Sequence, residues 1–229
     1  MTPMHILKTI RSNSWMLRSL AKTVFFNLHY LPLRQAIKLP IWLYKAKLLK
    51  TRGRITINAR NIRPGMIRLG VNKVSVYRNS GISLEINGDI VFNGTCCIGN
   101  DSFVAVDGGY LTFGNFFNAT AACRIVCRKA VTFADDVLIG WNNMICDSDF
   151  HRTRDLVSGM WSETEKEIKI GNHVWIANGC SVMKGSVIPD NVIVAAHSLV
   201  NKKLDVPKFS LVAGSPATKK KDNVDWSLE

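Results

Sequence analysis

A strict six-residue recurrence of large aliphatic side chains constrains this chain more than any other feature: Ile170, Ile176, Val182, Ile188, Val194 and Val200. Six fits neither the helical period nor a plain strand alternation. Four places after each of the first five stands a second inward candidate, Val174, Cys180, Ser186, Val192 and Ser198. Units this short cannot bury an apolar face alone and do so against their neighbours, so a fixed short period marks a stacked architecture. The pattern predicts a parallel β-helix, in which short strands turn a corner at each hexad and three hexads close one triangular coil. Residues eighteen apart then stack, Ile170 on Ile188 and Ile176 on Val194. A β-sandwich with evenly spaced strands is the competing form, but its usual repeat of about 8 to 12 residues does not match.

The same register is visible upstream at Ile86, Phe92, Ile98 and Val104, then at Phe113, Ala119 and Ile125, and again at Phe133, Ile139 and Ile145. Slips across Asp107-Gly108-Gly109 and near Arg128–Val131 are expected as bulged corners or small loops. The β-helix is therefore assigned to residues 53–204, with one true interruption at 146–168 that lacks the hexads and is rich in polar groups. Loops thrown out from a rigid scaffold are where chemistry is usually placed. Residues 205–229 are expected to give one more strand and a basic tail, Lys219-Lys220-Lys221.

Charge is spread unevenly. Residues 1–84 hold sixteen Lys and Arg and no Asp or Glu, whereas the remainder is close to neutral. Such asymmetry points to an anionic partner for the basic part. Residues 1–52 read as a basic amphipathic helical leader divided by Pro32 and Pro40. Trp15, Trp42 and Tyr44 beside cations suit a helix at a membrane surface, and packing on the body is the other reading, compatible with it. Nucleic acid fits less well, because the aromatics are embedded in aliphatic runs. No uncharged apolar run reaches the roughly 18 residues needed to span a bilayer. The six cysteines show no C-x-x-C zinc spacing and are expected as small buried thiols, with no metal site.

The run Ile170-Gly171-Asn172-His173-Val174-Trp175-Ile176-Ala177, the hexads to Val200, the segment Val212-Ala213-Gly214-Ser215-Pro216-Ala217, and Asp147 to His151 resemble the hexapeptide-repeat acyltransferases. The likeness is strongest to the O-acetyltransferases of sugars and bacterial surface polysaccharides. The leader stretch Tyr30 to Pro40 is similar to that of many polysaccharide-cluster members. The resemblance implies an all-β, left-handed parallel β-helix with an α-helical leader, and a homotrimer with acetyl-CoA and a sugar or polysaccharide acceptor meeting between neighbouring subunits. It also implies His151 as general base. Trp175 then matches the tryptophan of the family's Val-Trp-Ile-Gly motif, Ala177, Asn178, Ala195 and Ala196 match its backbone contacts to the pantetheine arm, and Asn201, Lys202, Thr218 and Lys221 match the stretch that reaches the nucleotide end. Ala177 stands where glycine is usual, Pro189 replaces the glycine of the next hexad, and His197 stands where glycine is common.

Acetyl transfer to a hydroxyl needs a base whose pKa lies near working pH, and neutral imidazole, unperturbed at about 6.5, suits it. His151 alone among five histidines sits in the excursion with carboxylates before it. Asp149 or Asp147 is expected to fix its tautomer. Trp175 or backbone N–H groups are expected to stabilise the oxyanion, and Trp175 serves equally as an apolar wall. Direct transfer is preferred to an acyl-enzyme on Cys146. The expected protein is an acetyl-CoA-dependent O-acetyltransferase in the cytoplasm, held peripherally at the inner membrane face through residues 1–50. The alternatives are N-acetylation of an amino sugar and a non-catalytic, membrane-associated glycan-binding β-helix. A zinc enzyme on the same scaffold is disfavoured by the wide spread of His151, His173 and His197.

Overall fold

A computed structural model describes residues 18–227. The chain opens with helix α1 over residues 18–30 and the short α2 (Leu33–Ala36), which follows Pro32. Strands then follow one another in a repeating order. The first round is β1 (Ile41–Leu43), β2 (Lys47–Thr51) and β3 (Arg54–Ile57). Next come β4 (Ile67–Val71) with β5 (Ile82–Phe92), and β6 (Cys96–Gly99) with β7 (Ser102–Phe113), where β5 and β7 are long enough to bend through a corner. The third pattern is β8 (Phe117–Ala119), β9 (Arg124–Cys127), β10 (Ala130–Phe133), repeated as β11 (Leu138–Ile139), β12 (Met144–Cys146), β13 (Ile168–Ile170) and as β14 (Trp175–Ile176), β15 (Ser181–Met183), β16 (Val187–Ile188). The chain ends with β17 (Val192–Val194), β18 (Leu199–Val200), β19 (Ser210–Gly214) and β20 (Ala217–Lys221).

Each strand pairs in parallel with the strand one round later, which sorts them into three ladders. The first runs β1-β4-β6-β8-β11-β14-β17-β19, and the antiparallel β20 closes it. The second joins β2, the front halves of β5 and β7, then β9, β12, β15 and β18. The third joins β3, the back halves of β5 and β7, then β10, β13 and β16. Ile170 pairs with Ile188 and Ile176 with Val194, as the hexads require. The register slips are corners: β7 bends within its length near Asp107-Gly108-Gly109, and residues 128–129 connect β9 to β10. Between β12 and β13 the chain makes its excursion, which folds back on itself through antiparallel bridges Ser148↔Glu165 and Arg154↔Trp161.

Every hexad residue named above is buried. In the third ladder the column contains rings: Phe92 and Phe113 stack with centroids 5.2 Å apart, Phe113 and Phe133 at 5.5 Å, and Phe117 meets Phe113 edge-on. Offset and edge-on rings gain about 0.5–1.5 kcal/mol per pair beyond the area they bury. Cys96, Cys123 and Cys180 fill small inward positions, and all six cysteines are free and buried.

The leader departs from the sequence expectation. The helical reading of residues 4–50 holds only as far as α2 among the described residues, and residues 4–17 lie outside them. Residues 41–51 are strands that enter the first and second ladders, so the coil begins at Ile41 and not at 53. The reason is tertiary. Pairing on the ladder buries Ile41 and Leu43 in the core of the coil, and that gain outweighs weak local propensity. Helix α1 caps the open edge so created. Its polar stripe Ser19, Thr23, Asn27, spaced at i, i+4, i+8, meets the backbone of β1 and its continuation. Asn27 Oδ1 accepts from Ile41 N (3.1 Å) and its amide donates to Ile41 O (2.7 Å). Thr23 Oγ1 accepts from Leu43 N (3.0 Å), and Ser19 Oγ from Lys45 N (3.1 Å). An exposed parallel edge is a template for mispairing, and this stripe closes it.

Candidate functional site

The excursion is ordered by its first residue. Asp147 is fully buried and accepts from three backbone N–H groups of the corner opposite, those of Arg128, Lys129 and Ala130, each at 2.8 Å. Three donors on one carboxylate make this a strong charge-assisted clamp. Asp147 therefore holds the loop to the corner between the second and third ladders. It does not orient His151, and this corrects the expectation: the backbone N–H groups at the corner claim its oxygens first.

Beyond the clamp, Cys146 Sγ approaches Ser148 O at 3.1 Å, and Ser148 Oγ accepts from Phe150 N at 3.0 Å. Arg128 lies over the Phe150 ring, 5.6 Å from its centroid, and bonds Glu165 (2.8 Å) and Asp107 (3.0 Å). Asp149 forms an ion pair with Lys184 of the corner after β15 at 2.6 Å. That pairing also corrects the expectation for Asp149, whose carboxylate is engaged by an ammonium group and not by the imidazole. Its backbone carbonyl accepts from His151 N at 2.7 Å, so it sets the main-chain position of the histidine. The His151 side chain is exposed, and among the described residues its ring has no hydrogen-bond or ion-pair partner. Cys146 is buried, and burial pushes its thiol pKa up, which is the opposite of what a nucleophilic thiolate needs.

The other candidates lie elsewhere on the coil. Trp175 stands on the outer side of the first ladder, in the row Asn118, Leu138, Trp175, Ile193, Leu211. Ala177 and Asn178 share the corner between the first and second ladders with Ala195 and Ala196 of the next round, and the corner segments are tied by Ala177 N to Val194 O and His197 N to Asn178 O. Asn201 and Lys202 follow β18 and are exposed. Thr218 and Lys221 are exposed on β20, paired with Ala213 and Leu211. The structure thus brings Trp175, Ala177, Asn178, Ala195 and Ala196 to one side of a chain, and it places His151 across the second ladder from them.

His173 has a different surrounding. Its Nδ1 lies 2.5 Å from Asp136 and its Nε2 3.0 Å from Asp225, while Trp226 stacks on the ring at 4.5 Å. Burial lowers its pKa, but the two carboxylates outweigh this and hold it above the usual imidazole value. This histidine ties the C-terminal segment to the coil. Sequence reasoning missed Lys184, Arg128 and the clamp role of Asp147, because each acts on a residue brought close only by stacking of rounds. Among the described residues, no cluster of three His, Cys, Asp or Glu is placed to hold a metal ion.

Residues 167–202 match the family model of the bacterial transferase hexapeptide, six repeats. Within residues 167–202 the hexads match that family's repeat. The match begins at the end of the excursion, so the hexapeptide segment carries Trp175 and the alanine corners, with His151 just before it. Among curated relatives, polysialic acid O-acetyltransferase of Escherichia coli O1:K1 / APEC is 29% identical over 155 residues, covering 67% of this chain and 44% of the relative. Galactoside O-acetyltransferase of Escherichia coli strain K12 is 31% identical over 109 residues, covering 48% of this chain and 52% of the relative. The chain spans about half the length of the curated relatives it matches. Among solved structures, the polySia-specific acetyltransferase NeuO matches at 21% identity and a TM-score of 0.45, covering 80% of this chain and 77% of that one.

Proposed function

We propose that the protein is an acetyl-CoA-dependent O-acetyltransferase, with a sugar hydroxyl of a bacterial surface polysaccharide or its precursor as acceptor. The observation that carries the reading is a junction. The hexapeptide match starts at residue 167, where a clamped excursion bearing a solvent-facing His151 ends. In this reading the imidazole takes the proton of the acceptor hydroxyl as its oxygen attacks the thioester carbonyl. The departing CoA sulfur then receives that proton, and the base is restored. No residue need become acylated, in keeping with the buried Cys146.

The winding is proposed as a left-handed triangular solenoid and the assembly as a homotrimer. The separation of His151 from Trp175 and the alanine corners supports this, since the excursion of one copy is then completed by the first ladder of the next. Residues 1–50 are proposed to rest on an anionic membrane surface at the cytoplasmic face. Leu20, Val24, Phe25 and Leu28 of α1, with Leu33 and Ile37, form an exposed apolar strip beside Arg34 and Lys38. No helix among the described residues is long and apolar enough to cross a membrane.

The test is thiol release from acetyl-CoA with a panel of glycans, comparing wild type with His151→Ala. A fall of about 10²- to 10⁴-fold is expected for loss of a general base. Unchanged turnover overturns the base assignment, and acetylation of amino-sugar nitrogen alone overturns the choice of oxygen.

A further inference from the structure

We infer that the corner joining the third ladder to the first, in the N-terminal rounds, is a binding groove for an acidic oligosaccharide, built on Arg60, Arg63, Arg68 and Phe116. The inference rests on the proposed activity in one respect, that a glycan is the polymer handled. Its location is separate, because the His151 excursion leaves the coil at another corner.

Two adjoining cavities of about 480 and 550 Å³ lie along this corner and share Arg63, Met66, Thr95 and Phe116. The shared lining makes them one continuous groove. Arg60, Arg63 and Arg68 are exposed, and among the described residues none has a carboxylate partner. The contrast with other arginines is direct: Arg54 is paired with Asp89 at 2.7 Å, and Arg128 with both Asp107 and Glu165. Two carboxylates do line the groove, Asp135 and Asp136, and each is already engaged. Asp135 accepts from Asn115 N at 2.7 Å, and Asp136 faces His173. Three arginines against two carboxylates leave the groove net positive. The arginines belong to the acid-free stretch of residues 1–84.

A guanidinium fork matches a carboxylate in two parallel hydrogen bonds, which a free ammonium does not do. Phe116 is held outward at a left-handed corner position (φ 58°) and is 62% exposed. Such a ring offers an apolar face to the C–H side of a pyranose. Thr95 Oγ1 donates to Asn115 Oδ1 (3.3 Å) and accepts from Phe116 N (3.2 Å), which holds Asn115 at the groove with its side-chain NH2 as a donor for a sugar hydroxyl. A nucleic-acid strand is a poorer fit, since its bases need a series of stacking rings and this groove presents one.

The test is direct binding, measured by calorimetry, of hexagalacturonate, a sialic acid hexamer, neutral maltohexaose and adenosine 3′,5′-bisphosphate. Wild type is expected to bind at least one acidic hexamer tenfold or more tighter than maltohexaose, with affinity falling as salt rises. The variant Arg60→Ala/Arg63→Ala/Arg68→Ala is expected to lose tenfold or more at unchanged melting temperature. Should it misfold, Arg63→Gln and Arg68→Gln taken singly carry the same test, with a loss of severalfold each. Phe116→Ala is expected to weaken acidic hexamers severalfold while leaving the salt dependence in place. Equal affinity for acidic and neutral hexamers overturns the inference. So does undiminished binding in the arginine variants, or binding of the bisphosphate alone. His151→Ala is expected to bind as wild type does, so failure of the catalytic reading and failure of the groove are seen separately.

Discussion

At the scale of single residues, two aspartates two positions apart have opposite fates. Asp147 is buried and satisfies three backbone donors, whereas Asp149 is partly exposed and paired with Lys184. Asp147→Ala leaves three N–H groups without that acceptor, and about 2–5 kcal/mol of stability should be lost, read from urea unfolding. Asp149→Asn removes a partly solvated ion pair and should cost at most about 1 kcal/mol. His173 supplies a pH dependence. Its folded pKa is raised, so its contribution to stability is fully present below the unfolded value of about 6.5 and is lost as pH rises through the raised folded value. Trp226 fluorescence should report this as a loosening of the C-terminal segment on the alkaline side of that range. Asp225→Asn should move the transition to lower pH, and a transition that stays in place would show that Asp225 does not set it.

At the scale of elements, the three ladders explain why hexads were readable along most of the chain. Each strand of the three ladders turns at least one side chain toward the axis, and a coil admits mostly apolar or small groups there, so the pattern survives in one sequence. Phe133 stacks on Phe113 and meets Phe117, and Phe133→Ala should cost about 3–5 kcal/mol because neighbouring rounds cannot collapse into the void. Helix α1 is a different kind of element. Its buried face carries the polar Ser19, Thr23 and Asn27 beside Phe26, while Leu20, Val24, Phe25 and Leu28 are turned outward. That inversion hid its role as an edge cap, since burial is normally inferred from apolar residues. Asn27→Leu should leave Ile41 N and O unpaired and lower stability by about 2–4 kcal/mol, with greater hydrogen exchange confined to β1 and β2. Unchanged protection there would remove the cap from this account.

At the scale of the whole molecule, assembly decides the chemistry proposed. His151 and Trp175 lie on different sides of one chain, so light scattering should find a trimer, and active material should be confined to it. Liposome flotation with anionic vesicles, comparing wild type with Leu20→Ser/Phe25→Ser/Leu28→Ser, three exposed positions of α1, checks the membrane surface. Equal recovery of both would place the apolar strip of α1 against something other than lipid.

The hexads determined the stacked strands, the eighteen-residue register beyond the excursion and the position of the excursion itself, because a repeating core needs the same residue type at every round, whereas earlier rounds such as Tyr110 with Ala130 and Phe103 with Arg124 pair at 20 and 21 residues. The place of His151 was legible as that of the one histidine of the excursion, and its role as base is the proposal made above. The strands at residues 41–51, the clamp by Asp147, the pairing of Asp149 with Lys184 and the arginine groove were decided by tertiary structure alone. Each depends on a partner many residues away that only stacking brings within hydrogen-bond or Coulomb range, and no local spacing records that partner.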